Sequence, residues 1–303
     1  MSSPRSKTVK KQAIIVILGP TASGKSALAV KLAKKFNGEV ISADSRQVYK
    51  GMNIGTGKIT KTQMRGVRHH LLDVASPKKI YDVVEWKKRA DKAVADIARR
   101  GKFPIVCGGT GLYIKALIEN VAYPDVPPDW KLRKKLDAKS PRELFLTLKK
   151  LDPARAKTID SNNPRRLARA IEIAKALGKV PAMQAAPRYN ALIIGIKKSP
   201  RELQRAIAKR LDERIKKGMA AEARRLHAGG VSFKRMEEIG LEYKYLALYL
   251  QGKMSKEEMM QTLNIKIWQY ARRQMTWFRN TPNVRWIATP GEAEKLAQVF
   301  LKT

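Results

Sequence analysis

A parallel α/β sheet flanked by helices and interrupted by an all-helical insert is the architecture this sequence predicts, and three observations predict it. The first is Gly19-Pro20-Thr21-Ala22-Ser23-Gly24-Lys25-Ser26, which fits G-x-x-x-x-G-K-[ST] in full. An apolar segment of strand length, 13–18, precedes it. Residues 26–36 follow, with Leu28, Leu32 and Phe36 on one helical stripe. Strand, glycine loop and helix point backbone N–H groups and a positive helix end at a phosphate, so the sheet is P-loop NTPase-like. The second is the recurrence of short apolar runs at 39–43, 103–107 and 191–196 between helical patterns. The third is the crowding of Pro124, Pro127 and Pro128, after which the chain reads as wholly helical to about Tyr189. The expected division is therefore a catalytic core of 1–122 and 191–303 and a helical insert of 123–190.

Each element follows from local chemistry. The basic start, 1–12, lacks an apolar signal region. Segment 39–43 reads as a second strand ending at Asp44, an acid at the edge where open α/β sheets bind ligands. Gly51, Gly55 and Gly57 mark 51–58 as a mobile loop. His69 and His70 precede Leu71-Leu72-Asp73 with no Cys or third His nearby, which suits a structural pair better than a metal site. Residues 82–100 read as an amphipathic helix closed by Gly101. Strand 103–107 ends in Gly108-Gly109-Thr110-Gly111, and 112–118 resumes a helix. Within the insert, Ser140-Pro141-Arg142-Glu143 is a capping box. Asn163-Pro164 opens a helix that Gly178 ends. Its Leu167, Ile171 and Ala174 face a core, and Arg165, Arg166 and Arg169 share another face. Residues 200–226 read as one long helix with Leu203, Ile207, Leu211 and Ile215 on its stripe and Arg210 beside it, able to reach inward. Ser255 caps a last long helix carrying Arg272, Arg273, Gln274 and Trp277, and Trp286 and a helix near 292–300 close the core.

Composition narrows the partners. The chain has 303 residues, 63 Lys and Arg against 26 Asp and Glu, a formal charge of +37, and one cysteine, Cys107. No internal disulfide can form, which suits the cytoplasm. No apolar run approaches the length of a membrane span. So large a charge excess predicts a polyanionic partner bound in a salt-dependent way.

An ordinary P-loop ATPase has an acid at the end of a core strand to hold magnesium, but here glycines and Thr110 occupy that place. Thr110 is placed to donate to a phosphate oxygen, or else simply caps its helix. If diphosphate is a leaving group, Lys25, Thr110 and Arg210 would stabilise its charge and Asp44 would take a proton from the nucleophile. If a nucleoside triphosphate is bound, the same parts would serve a kinase.

Several runs decide between these. Residues 19–26, Ile41-Ser42-Ala43-Asp44-Ser45-Arg46-Gln47-Val48-Tyr49, Gly55-Thr56-Gly57-Lys58 and His69-His70-Leu71-Leu72-Asp73 closely resemble the tRNA dimethylallyltransferase (tRNA isopentenyltransferase) family. So do Gly108-Gly109-Thr110-Gly111-Leu112-Tyr113, Asn163-Pro164-Arg165-Arg166-Leu167-Ala168-Arg169-Ala170 and Tyr270-Ala271-Arg272-Arg273-Gln274-Met275-Thr276-Trp277-Phe278, in the family's order, over about 13–287. The resemblance implies transfer of a dimethylallyl group from dimethylallyl diphosphate to N6 of the adenosine next to the anticodon, position 37, in tRNAs that read codons starting with U. Mg²⁺ assists. Carried over, Asp44 is the general base, and Thr110, Arg210 and Lys25 hold the diphosphate with Gly19, Pro20, Thr21, Ala22, Ser23, Gly24 and Ser26, the last also facing the metal. Expected tRNA contacts are Asp44, Ser45, Arg46, Gln47, Thr110, Arg133, Arg165, Arg166, Leu167, Ala168, Arg169, Arg272, Arg273 and Gln274. A cytoplasmic monomer of bacterial type is expected, without the zinc-finger extension of eukaryotic relatives.

The sequence departs from the family in places. Many relatives have Gln at Arg165 and Thr at Ser26, and Glu238-Ile239-Gly240-Leu241-Glu242-Tyr243 replaces a commoner Ile-Gly-Tyr-Arg wording. A small-metabolite P-loop kinase would explain 19–26 but not the charge or the arginine-rich insert. A non-catalytic RNA-binding module would explain the charge but give Lys25, Asp44 and Thr110 no task.

Overall fold

The structure, a computed structural model, describes residues 11–182 and 185–302. The basic N-terminal segment therefore falls, up to residue 10, outside the described residues.

The chain opens with β1 (Gln12–Leu18), α1 (Lys25–Lys35), β2 (Gly38–Ser42), the short α2 (Lys61–Met64) and β3 (His69–His70). It continues through α3 (Val83–Arg99), β4 (Phe103–Gly108) and α4 (Gly111–Ile118). Then come α5 (Trp130–Asp137), α6 (Pro141–Leu151), α7 (Pro153–Ala156), α8 (Pro164–Leu177) and β5 (Tyr189–Ile196). The remainder is α9 (Pro200–Lys216), α10 (Met219–Ala228), α11 (Phe233–Ile239), α12 (Leu241–Leu250), α13 (Lys256–Arg279), β6 (Val284–Ile287) and α14 (Pro290–Lys302).

All six strands are parallel, in the order β3-β2-β4-β1-β5-β6. β1 is buried on both faces, as a near-continuous apolar run in a parallel sheet should be. Ile14, Val16 and Leu18 pack with residues of α3, α4 and α9–α13; Ile15 and Ile17 pack with α1 and α14. Because the strands are parallel, the loops after β2, β4 and β1 leave the same edge side by side, with Ser42 opposite Cys107 and Leu18 opposite Gly108. No Cβ fits at Gly108, because the Ala43 backbone lies against it. The glycine therefore lets the Asp44 loop and the Thr110 turn meet.

The residues cluster into two units, Met1–Asn120 with Pro187–Thr303, and Val121–Ala186. The smaller unit has its own core of Leu136, Leu144, Leu148, Leu167 and Ile171. Ser140 and Asn163 cap α6 and α8 as their sequence motifs dictate.

Two expectations change, and two strands were not expected. The long helix over 200–226 is two helices, because Gly218 adopts φ 90°, a left-handed turn that a side chain resists. β3 and β6 are two- and four-residue edge strands, too short for a periodic signal. The loop 51–58 is not free: Lys58 donates to Tyr49 O (2.8 Å), Asn53 Oδ1 (3.0 Å) and Asp73 Oδ1 (2.6 Å), side chains from α9 and α10 bond its backbone, and Tyr243 of α12 lies against Gly55.

Candidate active site

The site is built from three strand ends. After β1, residues 19–24 wind through positive φ at Gly19, Ala22 and Gly24 before α1 begins. Gly24 offers no side-chain cap and the first turn of α1 holds no acid, so its N–H groups are left for an anion. Ser23 Oγ is buried in this loop without a hydrogen-bond partner among the described residues, a donor able to meet a phosphate oxygen. Lys25 Nζ rests on Pro20 O at 2.6 Å. Burial pulls its pKa down to about 8, Arg210 adds to that, and Asp44 opposes it. These three charges thus share one field.

After β2, Asp44 Oδ1 accepts N–H bonds from Arg46 (2.8 Å) and Gln47 (3.3 Å). This Asx-type turn aims the carboxylate and leaves Oδ2 free to accept a proton. After β4, Thr110 sits at the N-cap position of α4 yet makes no cap bond. Its Oγ1 accepts from Ser45 N (3.0 Å) and faces Ser45 Oγ (3.3 Å), so the helix-cap alternative gives way to a hydroxyl turned toward the Asp44 loop. From α9, Arg210 Nη2 donates to Gly57 O at 2.8 Å. Its pKa is lowered by burial first and by Arg214 second, with Glu242 and Asp44 opposing. Arg210 therefore does reach inward, as its place beside the α9 stripe allowed.

The remaining predicted residues divide. Arg46, Arg165, Arg166, Arg272 and Arg273 are exposed, and Ser45, Gln47 and Ala168 partly so. Arg166 makes a 3.9 Å contact with Asp160. Leu167 is fully buried in the insert core, so it cannot touch RNA; its place on the apolar stripe outweighs its arginine neighbours. Arg133 and Arg169 are engaged rather than free. Arg133 donates to Glu172 through Nε (3.0 Å) and Nη2 (2.9 Å), and Arg169 pairs with Glu172 and with Val126 O (2.8 Å). Glu172 is 2% exposed, and the two arginines compensate its charge, because an unpaired buried carboxylate is costly.

Gln274 is also reassigned. It is buried; its Oε1 accepts from Thr21 N (2.8 Å) and its Nε2 donates to Gly109 O (2.8 Å), joining the phosphate loop to the Thr110 turn. A Cβ at Gly109 would strike this amide. A glutamine in a basic helix that also holds Gln261 and Gln269 gives no sequence sign of such a role. Glu222, Arg214 and Tyr243 were likewise missed; the glycines at 55 and 57 were the sole hint.

Among the described residues no group of three His, Cys, Asp or Glu side chains could hold a metal. His70 instead pairs with buried Glu39 at 2.7 Å. The donor set at the loop, the exposed hydroxyl of Ser26 with no carboxylate at the end of β4, suits a hard cation carried in on phosphate oxygens.

A family model described as IPP transferase matches residues 47–281. The tRNA dimethylallyltransferase of Acetivibrio thermocellus is 40% identical over 284 residues, covering 90% of this chain and 91% of that protein. The full-length tRNA isopentenylpyrophosphate transferase of Bacillus halodurans superposes with a TM-score of 0.74 at 36% identity, covering 96% and 97%. A eukaryotic dimethylallyltransferase, solved in snapshots of its action on tRNA, gives 0.78 at 27% identity, covering 95% of this chain and 77% of its own.

Proposed function

The chain belongs to the IPP transferase family, and from that premise we propose that it is a tRNA dimethylallyltransferase. It moves the dimethylallyl group of dimethylallyl diphosphate onto N6 of adenosine 37, next to the anticodon, in tRNAs that read codons starting with U. One observation carries the assignment of roles: Lys25, Asp44, Thr110 and Arg210 come from four separate places in the chain and converge at one sheet edge.

The adenine amine attacks C1 of the allyl group as the C1–O bond breaks, and the diphosphate departs with the electron pair. The N6 proton passes to Asp44 Oδ2, whose partner oxygen is already fixed by two N–H bonds. The residue 19–26 loop, Lys25, Thr110 and Arg210 carry the charge that grows on the diphosphate. Ser26 would bear on the magnesium ion, which adds charge neutralisation when bound. A weak amine and an allylic cation both require that water be excluded and the atoms aligned, which a base drawn out of its stack into a pocket provides. Arg46, Arg165, Arg166, Arg272 and Arg273 supply cations for the tRNA backbone, whose phosphates position more than they specify. We further propose a monomer acting in the cytoplasm. No helix among the described residues is long and apolar enough to cross a membrane.

Mass spectrometry of nucleosides from unmodified tRNA, incubated with the protein, Mg²⁺ and dimethylallyl diphosphate, tests the reading. One five-carbon prenyl unit on adenosine, absent from an ATP-only control, is expected. ATP turnover without a prenyl adduct would indicate a kinase, and tight tRNA binding with neither signal a binding module.

A further inference from the structure

Buried behind the diphosphate site lies an ionic network that the proposed mechanism leaves without a task. Glu222 on α10 is 3% exposed, and its carboxylate takes four hydrogen bonds. Oε2 accepts from Asn53 N (2.9 Å) and Ile54 N (2.8 Å), and Oε1 from Gly55 N (2.8 Å) and Tyr243 Oη (2.6 Å). Arg214 on α9 grips the opposite side of the same segment, donating to Ile54 O (2.8 Å), to Gly55 O, and to Glu242 (3.1 Å). Residues 54 and 55 are thus held at their N–H groups by an anion and at their carbonyls by a cation.

The segment is shaped around these contacts. A Cβ at Gly55 would enter the Tyr243 ring, and Gly57, at φ +59°, would push one into the Arg210 guanidinium. Holding a surface turn does not require two buried charges of opposite sign, since burying ions is costly. What the segment presents is Gly57 O, the atom on which Arg210 rests. Arg210 and Arg214 lie four residues apart on one helix face. One arginine builds the perch and the other uses it.

We propose that Glu222, with Arg214 and Tyr243, is a positioning residue for the reaction: through the backbone of 53–57 it fixes the Arg210 guanidinium where diphosphate charge develops. The inference rests on the role assigned to Arg210 above. Preorganised cations stabilise a leaving group without reorganising during the reaction, so loosening the perch lowers kcat more than it affects RNA binding.

The test is Glu222→Gln, which keeps shape and removes charge. Calorimetry with inorganic diphosphate and Mg²⁺ should show affinity falling about 10-fold, with kcat falling by about as much and the KM for tRNA within about twofold. Amide exchange should quicken at 53–57 and stay unchanged elsewhere. In the Arg210→Ala background the same substitution should cost no further diphosphate affinity, because the two act as one unit. Losses that add fully, or wild-type affinity and kcat with only a lower Tm, overturn the proposal. If Glu222→Gln fails to fold, Tyr243→Phe removes one of the four bonds and should move both readouts the same way by about threefold. Diphosphate affinity is read without turnover, so a wild-type protein that binds diphosphate but transfers no prenyl group would count against the proposed function and not against this network.

Discussion

Gln274 and Thr21 stand 253 positions apart in the chain, and the Gln274 side-chain oxygen accepts the Thr21 N–H at 2.8 Å. The other end of the same amide donates to Gly109 O. One side chain from α13 thereby sets the spacing between the phosphate loop and the Thr110 turn.

Replacing Gln274 with Ala leaves a buried carbonyl and a loop N–H unpartnered, a loss of about 1–3 kcal/mol. The kcat/KM for dimethylallyl diphosphate should fall roughly 10-fold or more, while tRNA affinity changes little. Steady-state kinetics beside a tRNA filter-binding curve checks this; an equal loss in both would return Gln274 to the RNA interface.

Asp44→Asn keeps most of the turn geometry and removes the base. Turnover should drop by about 10²-fold or more with tRNA affinity nearly intact. Single-turnover rates measured at saturating tRNA decide it, and an unchanged rate would exclude Asp44 as the proton acceptor.

Thr110→Ala should slow the chemical step by on the order of 10²-fold. It should have little effect on α4, because Thr110 makes no cap bond there. A fall in Tm without a fall in rate would contradict that assignment.

Lys25 gives opposite pH trends in two experiments. Its folded pKa is lowered from 10.5 to about 8, so between those values the unfolded chain holds the proton that the free folded chain has lost. The Lys25 contribution therefore makes the free protein more stable as pH rises through that window. Diphosphate affinity should move the other way and weaken as pH rises above about 8, because the cation is lost. Lys25→Met should bind weakly and lack this pH dependence. Calorimetric titrations from pH 7 to 10 check the sign.

Within the insert, Arg165→Ala with Arg166→Ala should weaken tRNA binding and reduce the salt slope by about two. Arg169→Ala should instead destabilise the insert by about 1–3 kcal/mol, the usual effect of losing a hydrogen bond to a charged group, because Glu172 keeps Arg133 but loses this partner. Salt-dependent binding and thermal melts separate the two effects.

Local pattern made the architecture legible. The phosphate loop, the strand runs flanking it and the capping residues Ser140, Asn163 and Ser255 each declare themselves within about four residues, the range over which backbone hydrogen bonds and side-chain caps act. The residue 19–26 loop, Asp44 and Thr110 were legible because parallel strands deliver consecutive loops to one edge. The set expected to face tRNA was legible only as a region. Within residues 163–170 the same arginine-rich words cover exposed Arg165 and Arg166, paired Arg169 and fully buried Leu167.

What the sequence determined by itself is the set of local instructions: which segments become strands or helices, where they stop, and that a glycine-rich loop over 19–26 joins the first strand to the first helix. Tertiary structure alone decided which polar side chains stay open and which are consumed within the protein. Gln274 reaches Thr21 and Glu222 reaches Gly55 across 253 and 167 positions. No local periodicity encodes such contacts, since they exist only once packing has brought distant backbone groups within about 3 Å of a side chain and removed the water that would otherwise satisfy them.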